Sequence, residues 1–320
     1  MEKTVNKQSF SFNTFWQKYG TLGILLLLLA ILAALRPQSI FSLQGVTQIL
    51  TQSSVNILMA VGEFFAILIA GIDLSVGSVA ALTGMITAKL MVGGIDPAIA
   101  LLLGVIFGAT LGFINGTLVN STGLHPFIIT LGTQAIYRGT TIIISGARSV
   151  FGFPASFTTA ISGNFLGIPV PVLVALVVAL ILGFLTTKTK AGRNIYALGG
   201  NAQAAWFSGI NVKLHTLLVF VISGVCSGIA GIVLLGRVGA AEPAAATGFE
   251  TYAIAAAIIG GTSFFGGKGK IFGVVMGGLI IGLINYGMNV LTVSSSYQQI
   301  VMGALIIGSV ALDRLVARKR

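Results

Sequence analysis

The sequence predicts an all-α polytopic membrane protein with about ten transmembrane helices and both termini in the cytoplasm. Three observations carry that expectation. Of the 320 residues, 55% are hydrophobic and only 8% are charged, against roughly 25% charged in a soluble domain, and the mean hydropathy is +1.01. Apolar runs of about 20 residues, the length that crosses a bilayer as a helix, recur along the chain. The cations are unevenly placed between those runs.

The first run, 20–36, follows Lys3, Lys7 and Lys18 and has the charge pattern of a secretory signal peptide. So many apolar runs follow that it reads as an uncleaved first span. The others cover 47–70, 75–92, 97–119, 125–144, 168–187, 213–236, 249–262, 271–291 and 297–313. With the N-terminus inside, thirteen of the eighteen Lys and Arg fall on the cytoplasmic side, in the N-terminal segment, at 188–213, at Lys268 and Lys270, and after Asp313. That is the bias expected of cytoplasmic loops, and it sets the orientation. Residues 145–167 then form a long external loop and residues 188–212 a long internal one. The expectation is one transmembrane domain over 1–320.

Composition also excludes functions. The net charge of +11 would suggest nucleic acid in a soluble protein, but here cations at the cytoplasmic ends of spans explain it. One cysteine, Cys226, and two histidines, His125 and His215, provide neither a disulfide framework nor a metal-ligand set, and no cofactor is expected. Paired carboxylates, Ser-His pairs and metal constellations are missing, so the chain does not read as an enzyme. The stretch GGTSFFGGKGK (260–270) superficially suggests a phosphate loop. That loop needs G-x-x-x-x-G-K-[ST] between a strand and a helix, whereas Thr262 stands five before Gly267 and Gly269 follows Lys268. Gly266, Gly267 and Lys268 are read instead as a sharp turn held at the membrane surface.

Glycines recur every four residues at Gly104, Gly108, Gly112 and Gly116, and in the pairs Gly273/Gly277 and Gly278/Gly282. In lipid such rows let helix backbones approach closely. Polar residues form stripes too: Gln52, Asn56 and Glu63 on the second span, Thr130, Gln134 and Arg138 on the fifth, Asn115 on the fourth, Asn285 and Asn289 on the ninth. Polar groups inside a membrane are costly and are functional candidates. One reading makes Gln52, Asn56, Glu63, Asn115, Gln134 and Asn285 the lining of a path for a polyhydroxylated solute. The other makes them interhelical hydrogen bonds, with Glu63 and Arg138 as a buried ion pair. Only Glu63 lies deep among the acids, which disfavours ion-coupled symport without removing it.

In the internal loop, Asn201 is a good N-cap, Ala202–Phe207 forms a short helix, and Gly209 stops it. Such a helix, tipped by Trp206 and Phe207, is not stable alone in water. It either docks in a groove on another protein or rests on lipid headgroups.

The runs GEFFAILIAGIDLSVGSVAALTG (62–84), AGRNIYALGGNAQAAWFSGINV (191–212) and GFETYAIAAAIIGGTSFFGGKGKIFG (248–273) resemble the membrane subunits of ATP-binding-cassette importers for monosaccharides, the ribose, xylose, arabinose and allose group. GLHPFIITLGT (123–133) and AAEPAAATGFETYAIA (240–255) look most like its D-allose members, then its ribose members. The resemblance implies a homodimeric permease served by a cytoplasmic ATPase and a periplasmic sugar-binding protein. It makes 188–212 the coupling loop and carries coupling to Gly192, Gly199, Asn201, Ala205, Ser208 and Gly209, beside the aromatics Trp206 and Phe207. It maps GIDLSVG to Gly71, Asp73, Leu74, Ser75 and Gly77, where Asp73 and Ser75 are expected to satisfy free amides of a tight connection. Arg148, Glu242 and Glu250 are candidate outer contacts for the binding protein, with a plain solvated-loop reading standing beside that one. An ion-gradient-driven sugar transporter is the alternative reading of the chain.

Overall fold

The computed structural model describes residues 12–318; the expectations placed on Lys3, Lys7, Lys319 and Arg320, and on the side chains of Lys18, Arg314 and Arg318, lie outside the described residues. The chain runs through α1 (Phe12–Leu35), α2 (Pro37–Phe41), α3 (Leu43–Leu68), α4 (Val76–Val92), α5 (Pro97–Thr122), α6 (Pro126–Ser145) and α7 (Ala155–Ser162). A two-stranded hairpin, β1 (Asn164–Phe165) and β2 (Ile168–Pro169), leads to α8 (Val170–Lys188), α9 (Lys190–Gly200), α10 (Ala202–Phe207), α11 (Val212–Val238), α12 (Phe249–Ile259), α13 (Ile271–Val290) and α14 (Ser295–Arg318). Six of these, α3, α5, α6, α8, α11 and α13, are long and apolar enough to cross a membrane. Residues Gly20–Leu35 of α1, and all of α4 and α12, are shorter apolar helices.

Local chemistry sets the ends. Asp96 accepts the Ala98 and Ile99 amides ahead of Pro97, which opens α5 with the N–H it lacks and the fixed φ a first turn needs. Gly123 closes the same helix at φ 68°, a left-handed conformation that costs a residue with a Cβ. His125 with Pro126 opens α6 in the same manner.

The loop 145–167 is more ordered than the sequence suggests. Phe157 is buried on the inward face of α7 with its ring edge-on to Phe153, centroids 5.6 Å apart. Leu166 and Gly167, both at positive φ, make the two-residue hairpin turn whose twist matches its strands. The loop 188–212 holds two helices, not one. Its glycines hide α9 from propensity reasoning, but Thr189 caps it through the Gly192 amide, and Ile195 and Leu198 are buried. Burial of that apolar face overrides the weak local preference.

At the centre lies α3, buried without a break from Ser53 to Leu68, with Ser53, Ser54, Asn56 and Glu63 among the buried residues. It packs on α11, α13, α12 and α8. The glycine rows decide how closely. On α5, Gly108 and Gly112 lie against Gly224 and Phe220 of α11, so close that a Cβ on Gly112 would overlap the Phe220 carbonyl. On α13 the two pairs face different neighbours: Gly273 and Gly277 lie against Gly260 and Ala256 at the end of α12, and Gly278 and Gly282 against Ile57 and Ser53 of α3. Large apolar side chains remain exposed on α5 (Leu102, Ile106, Phe113), α6 (Leu131, Ile136, Ile143) and α8 (Leu176, Leu180, Phe184). Apolar surface on this scale suits hydrocarbon, not water.

Cys226 is the sole cysteine and is fully buried, so a thiol-reactive dye reports opening of the bundle. By that measurement Gly112→Ala should destabilise the detergent-solubilised protein by about 1–3 kcal/mol, the usual cost of overpacking. Gly132→Ala, where an added Cβ meets nothing within 4 Å, should melt no lower than the parent chain.

Candidate functional site

Between α3 and α4 the chain reverses inside the bundle, and Asp73 is 1% exposed there. Water cannot serve such a backbone, so side chains must. The Asp73 Oδ1 accepts the Ser75 amide at 3.0 Å and the Ser75 hydroxyl at 2.6 Å, while Oδ2 accepts the Ser223 hydroxyl of α11 at 2.7 Å. The Asp73 amide donates to Glu63 Oε1 at 3.1 Å. Thr130 of α6 accepts the Leu74 amide and lies 3.0 Å from the Ile72 carbonyl. From Ser75 the network continues outward: Asn115 of α5 donates to its hydroxyl at 2.8 Å, and the Tyr137 hydroxyl of α6 donates toward Asn115 Oδ1 at 3.0 Å. Ser75 thus works differently from the expected amide cap: its side chain makes no capping bond to α4 and instead passes the Asp73 contact on to Asn115. Gly71 packs on Pro126, and Gly77 admits the Ala246 carbonyl and the Glu250 carboxylate too closely for any Cβ.

This network takes up three of the six path candidates. Glu63, Asn115 and Gln134 all make interhelical or chain-reversal bonds, Gln134 donating to Glu250 Oε1 at 3.0 Å. The alternative ion pair of Glu63 with Arg138 is not formed: Arg138 donates to the Pro243 and Ala245 carbonyls at 2.9 and 2.7 Å, so its charge holds the 240–248 turn. Glu250 is half-buried against Gln134, which corrects its reading as an outer contact, whereas Arg148 and Glu242 are exposed. Gln52, Asn56 and Asn285 remain outside the network. Gln52 lines a cleft together with Arg237, and Asn56 and Asn285 are buried with an unpartnered atom each.

At the opposite end of α3 from that cleft, the segment 188–212 forms an elbow. Asn201 accepts the Ala204 amide at 2.9 Å and so opens α10, Ala205 is buried, and the Ser208 hydroxyl donates to the Ala204 carbonyl. Gly209 ends the helix at φ 78°. The tip carries Trp206, 62% exposed, and Phe207, 72% exposed, edge-on at 4.9 Å between centroids. The elbow is seated firmly. A Cβ on Gly192 would strike the Leu185 carbonyl of α8, and one on Gly199 the Leu68 carbonyl at the end of α3. Gly266 and Gly267, at φ 82° and 70°, lie against Gly199 and Gly200, and the Gly267 amide donates to the Leu68 carbonyl at 2.8 Å. The Tyr196 hydroxyl donates to the Gly269 carbonyl at 2.7 Å. Burial pushes the Tyr196 phenol above its ordinary value, so it keeps the proton it donates. Lys268 is exposed beside this junction.

Sequence reasoning missed Ser223, Tyr137, Tyr196 and Arg237. A serine within an apolar, glycine-rich span carries no signal that sets it apart from packing. A lone arginine at a span end reads as an anchor. Tyr196, three residues after Arg193, had a signal in its amphipathic spacing with Ile195 and Leu198.

The family described as branched-chain amino acid transport system / permease component matches residues 45–310. The chain is 61% identical over 313 residues to the D-allose transport system permease protein AlsC of Escherichia coli (strain K12), covering 98% of this chain and 96% of that protein. To the ribose import permease protein RbsC of Bacillus subtilis (strain 168) it is 41% identical over 305 residues, covering 95% and 94%. To the galactose/methyl galactoside import permease protein MglC of Escherichia coli (strain K12) it is 36% identical over 336 aligned positions, covering 99% of both. No solved structure matches the chain.

Asp73→Ala should strand the Ser75 amide and two hydroxyls, at roughly 1–3 kcal/mol for each buried group left unpaired. Ser223→Ala removes one donor while Asp73 keeps two, so it should cost about 1 kcal/mol. Thermal melts followed at Cys226 should rank the two in that order; a Ser223→Ala protein less stable than Asp73→Ala would contradict the assignment of Asp73 as the hub.

Proposed function

Because the chain belongs to the branched-chain amino acid transport system / permease component family, we propose that it is the membrane subunit of an ATP-driven importer carrying a monosaccharide, of the allose or ribose kind, across the bacterial inner membrane. Relatives that align with it end to end are permeases named for D-allose, ribose and galactose import. In this reading the six long helices, with α1, α4, α12 and α14, make ten spans. The cation bias puts both termini in the cytoplasm together with the α9–α10 elbow and the 260–270 turn. The loop 145–167, with Arg148, and the 240–248 turn, with Glu242, then face a periplasmic sugar-binding protein. Two copies of the chain form the transport unit.

The observation that carries this reading is the aromatic tip of α10. A six-residue helix is too short to persist by itself, and Trp206 with Phe207 exposes a large apolar surface. Yet the helix is capped by Asn201 and its base, α9, is fixed to α3 and to the 260–270 turn. A rigidly mounted, exposed aromatic tip is what a docking element requires, since such side chains dominate binding energy when a partner buries them. The partner is a cytoplasmic ATPase. The permease holds no nucleotide: ATP binding and hydrolysis in the partner push and release α10, and the spans alternate between two packings. Only a partner that engages those packings differently can shift their balance.

The test is reconstitution in proteoliposomes with a cognate ATPase and a cognate sugar-binding protein. Uptake of D-allose or D-ribose should require ATP and all three components. Accumulation by this chain alone under an imposed proton gradient would overturn the proposal in favour of secondary transport. Trp206→Ala together with Phe207→Ala should lower uptake and stimulated ATPase by at least roughly tenfold, the loss of about 1.4 kcal/mol or more of docking energy, with normal insertion and an unchanged melt at Cys226.

A further inference from the structure

We propose that the cleft between the ends of α3, α11 and α13 is a monosaccharide entry site contained within one subunit, with Arg237 and a pair of buried asparagines as its recognition groups. The proposal rests on the reading of the chain as a sugar permease and names where in it the sugar first binds.

The cleft encloses about 540 Å³, within the range of roughly 300–1,000 Å³ that holds small molecules. Gln48, Thr51 and Gln52 come from the first turns of α3, Arg237 from the last turn of α11, and Asn289 from the last turn of α13. Beside Val290 and the Tyr286 ring, the wall presents amides, hydroxyls and one guanidinium, and no carboxylate lines it; the Ser162 and Tyr286 hydroxyls already donate to the Gly236 and Ser39 carbonyls. Among the described residues, the side chains of Gln48, Gln52 and Arg237 make no hydrogen bond to the protein, and Arg237 is half-buried. A half-buried guanidinium without a counter-charge presents a fork of donors that needs oxygen partners. An anion would satisfy that fork but would leave the glutamine carbonyls without donors. Hydroxyls both donate and accept, so a neutral polyol satisfies the whole wall.

A second observation lies below the cleft. Asn56 follows Gln52 by one helical turn on α3, and Asn285 precedes Asn289 by one turn on α13, so each sits deeper along the same helix face. They are 3% and 4% exposed. The Asn56 Nδ2 donor and the Asn285 Oδ1 acceptor have no partner, although such buried groups are nearly always paired because each orphan costs roughly 1–3 kcal/mol. The register set by Gly278 against Ile57 and Gly282 against Ser53 puts Asn285 nearer the cleft and Asn56 deeper, so a free acceptor and then a free donor follow one another inward. The cleft takes the sugar, and the two asparagines meet its hydroxyls in turn as it moves further in.

Thr51→Cys tests this in a chain whose native thiol, Cys226, is buried. In proteoliposomes, an external membrane-impermeant methanethiosulfonate should label the introduced thiol readily. D-Allose or D-ribose at about ten times its Kd should slow that labelling about tenfold, while labelling of a Ser149→Cys control on the outer loop stays constant. In the complete transporter, Arg237→Gln should raise the KM for the sugar about tenfold, and Asn56→Leu should do so with a normal melt. Failure of the Thr51→Cys protein to label, protection by ribose 5-phosphate but not by the neutral sugars, or wild-type KM in both variants would overturn the entry site. If the wild-type complex takes up no monosaccharide at all, it is the transport reading that falls; normal uptake without sugar protection removes only the cleft.

Discussion

A chain reversal buried among membrane helices must satisfy its own backbone, and in this protein the Asp73 carboxylate makes that possible. It holds the Ser75 amide, the Ser75 hydroxyl and the Ser223 hydroxyl at once. An ionised or hydrogen-bonded carboxyl group in such surroundings is tolerable only when its oxygens are fully engaged. Glu63 and Thr130 complete the satisfaction of the turn from α3 and α6, and Asn115 with Tyr137 extends it between α5 and α6. Five helices, α3, α4, α5, α6 and α11, are therefore registered against one short loop. Moving any of them as a separate body would break buried hydrogen bonds in a medium that offers no replacement.

Much of this was legible from residues alone, because spans depend on local composition. The ten apolar runs coincide with helices, six of them long and apolar enough to cross a membrane, and Asn201, Gly209 and the glycine rows act as their chemistry dictates. The parts that were not legible depend on partners distant in sequence. A polar stripe shows which face of a helix a group occupies, but not whether another helix brings it a partner; Glu63, Asn115 and Gln134 found theirs 10, 40 and 116 residues away. The helix α9 was hidden for a similar reason, since its glycines lower propensity while the surfaces that fix it belong to α8, α3 and the 260–270 turn. Arg237 and Asn289 come together with Gln52 only once α11 and α13 are placed.

The two glycine pairs of α13 give that helix an unusual position. One pair lets α12 approach and the other lets α3 approach, so α13 has no broad face free to slide against either neighbour. With α3 also close to α11, the centre of the bundle behaves as a block. Under the importer reading proposed above, the spans would alternate by movement of whole blocks and not by sliding of single helices.

The contact of Gly199 with the Leu68 carbonyl adds a mechanical property to this picture. Most helix contacts run through side chains, whose rotamers yield by a few tenths of an ångström before the backbone responds. Here peptide group meets peptide group, and the Gly267 amide closes the same carbonyl. The joint has almost no play. A displacement imposed at the aromatic tip reaches the central helix with little of its amplitude absorbed on the way, as through a bell crank with tight bearings instead of a spring.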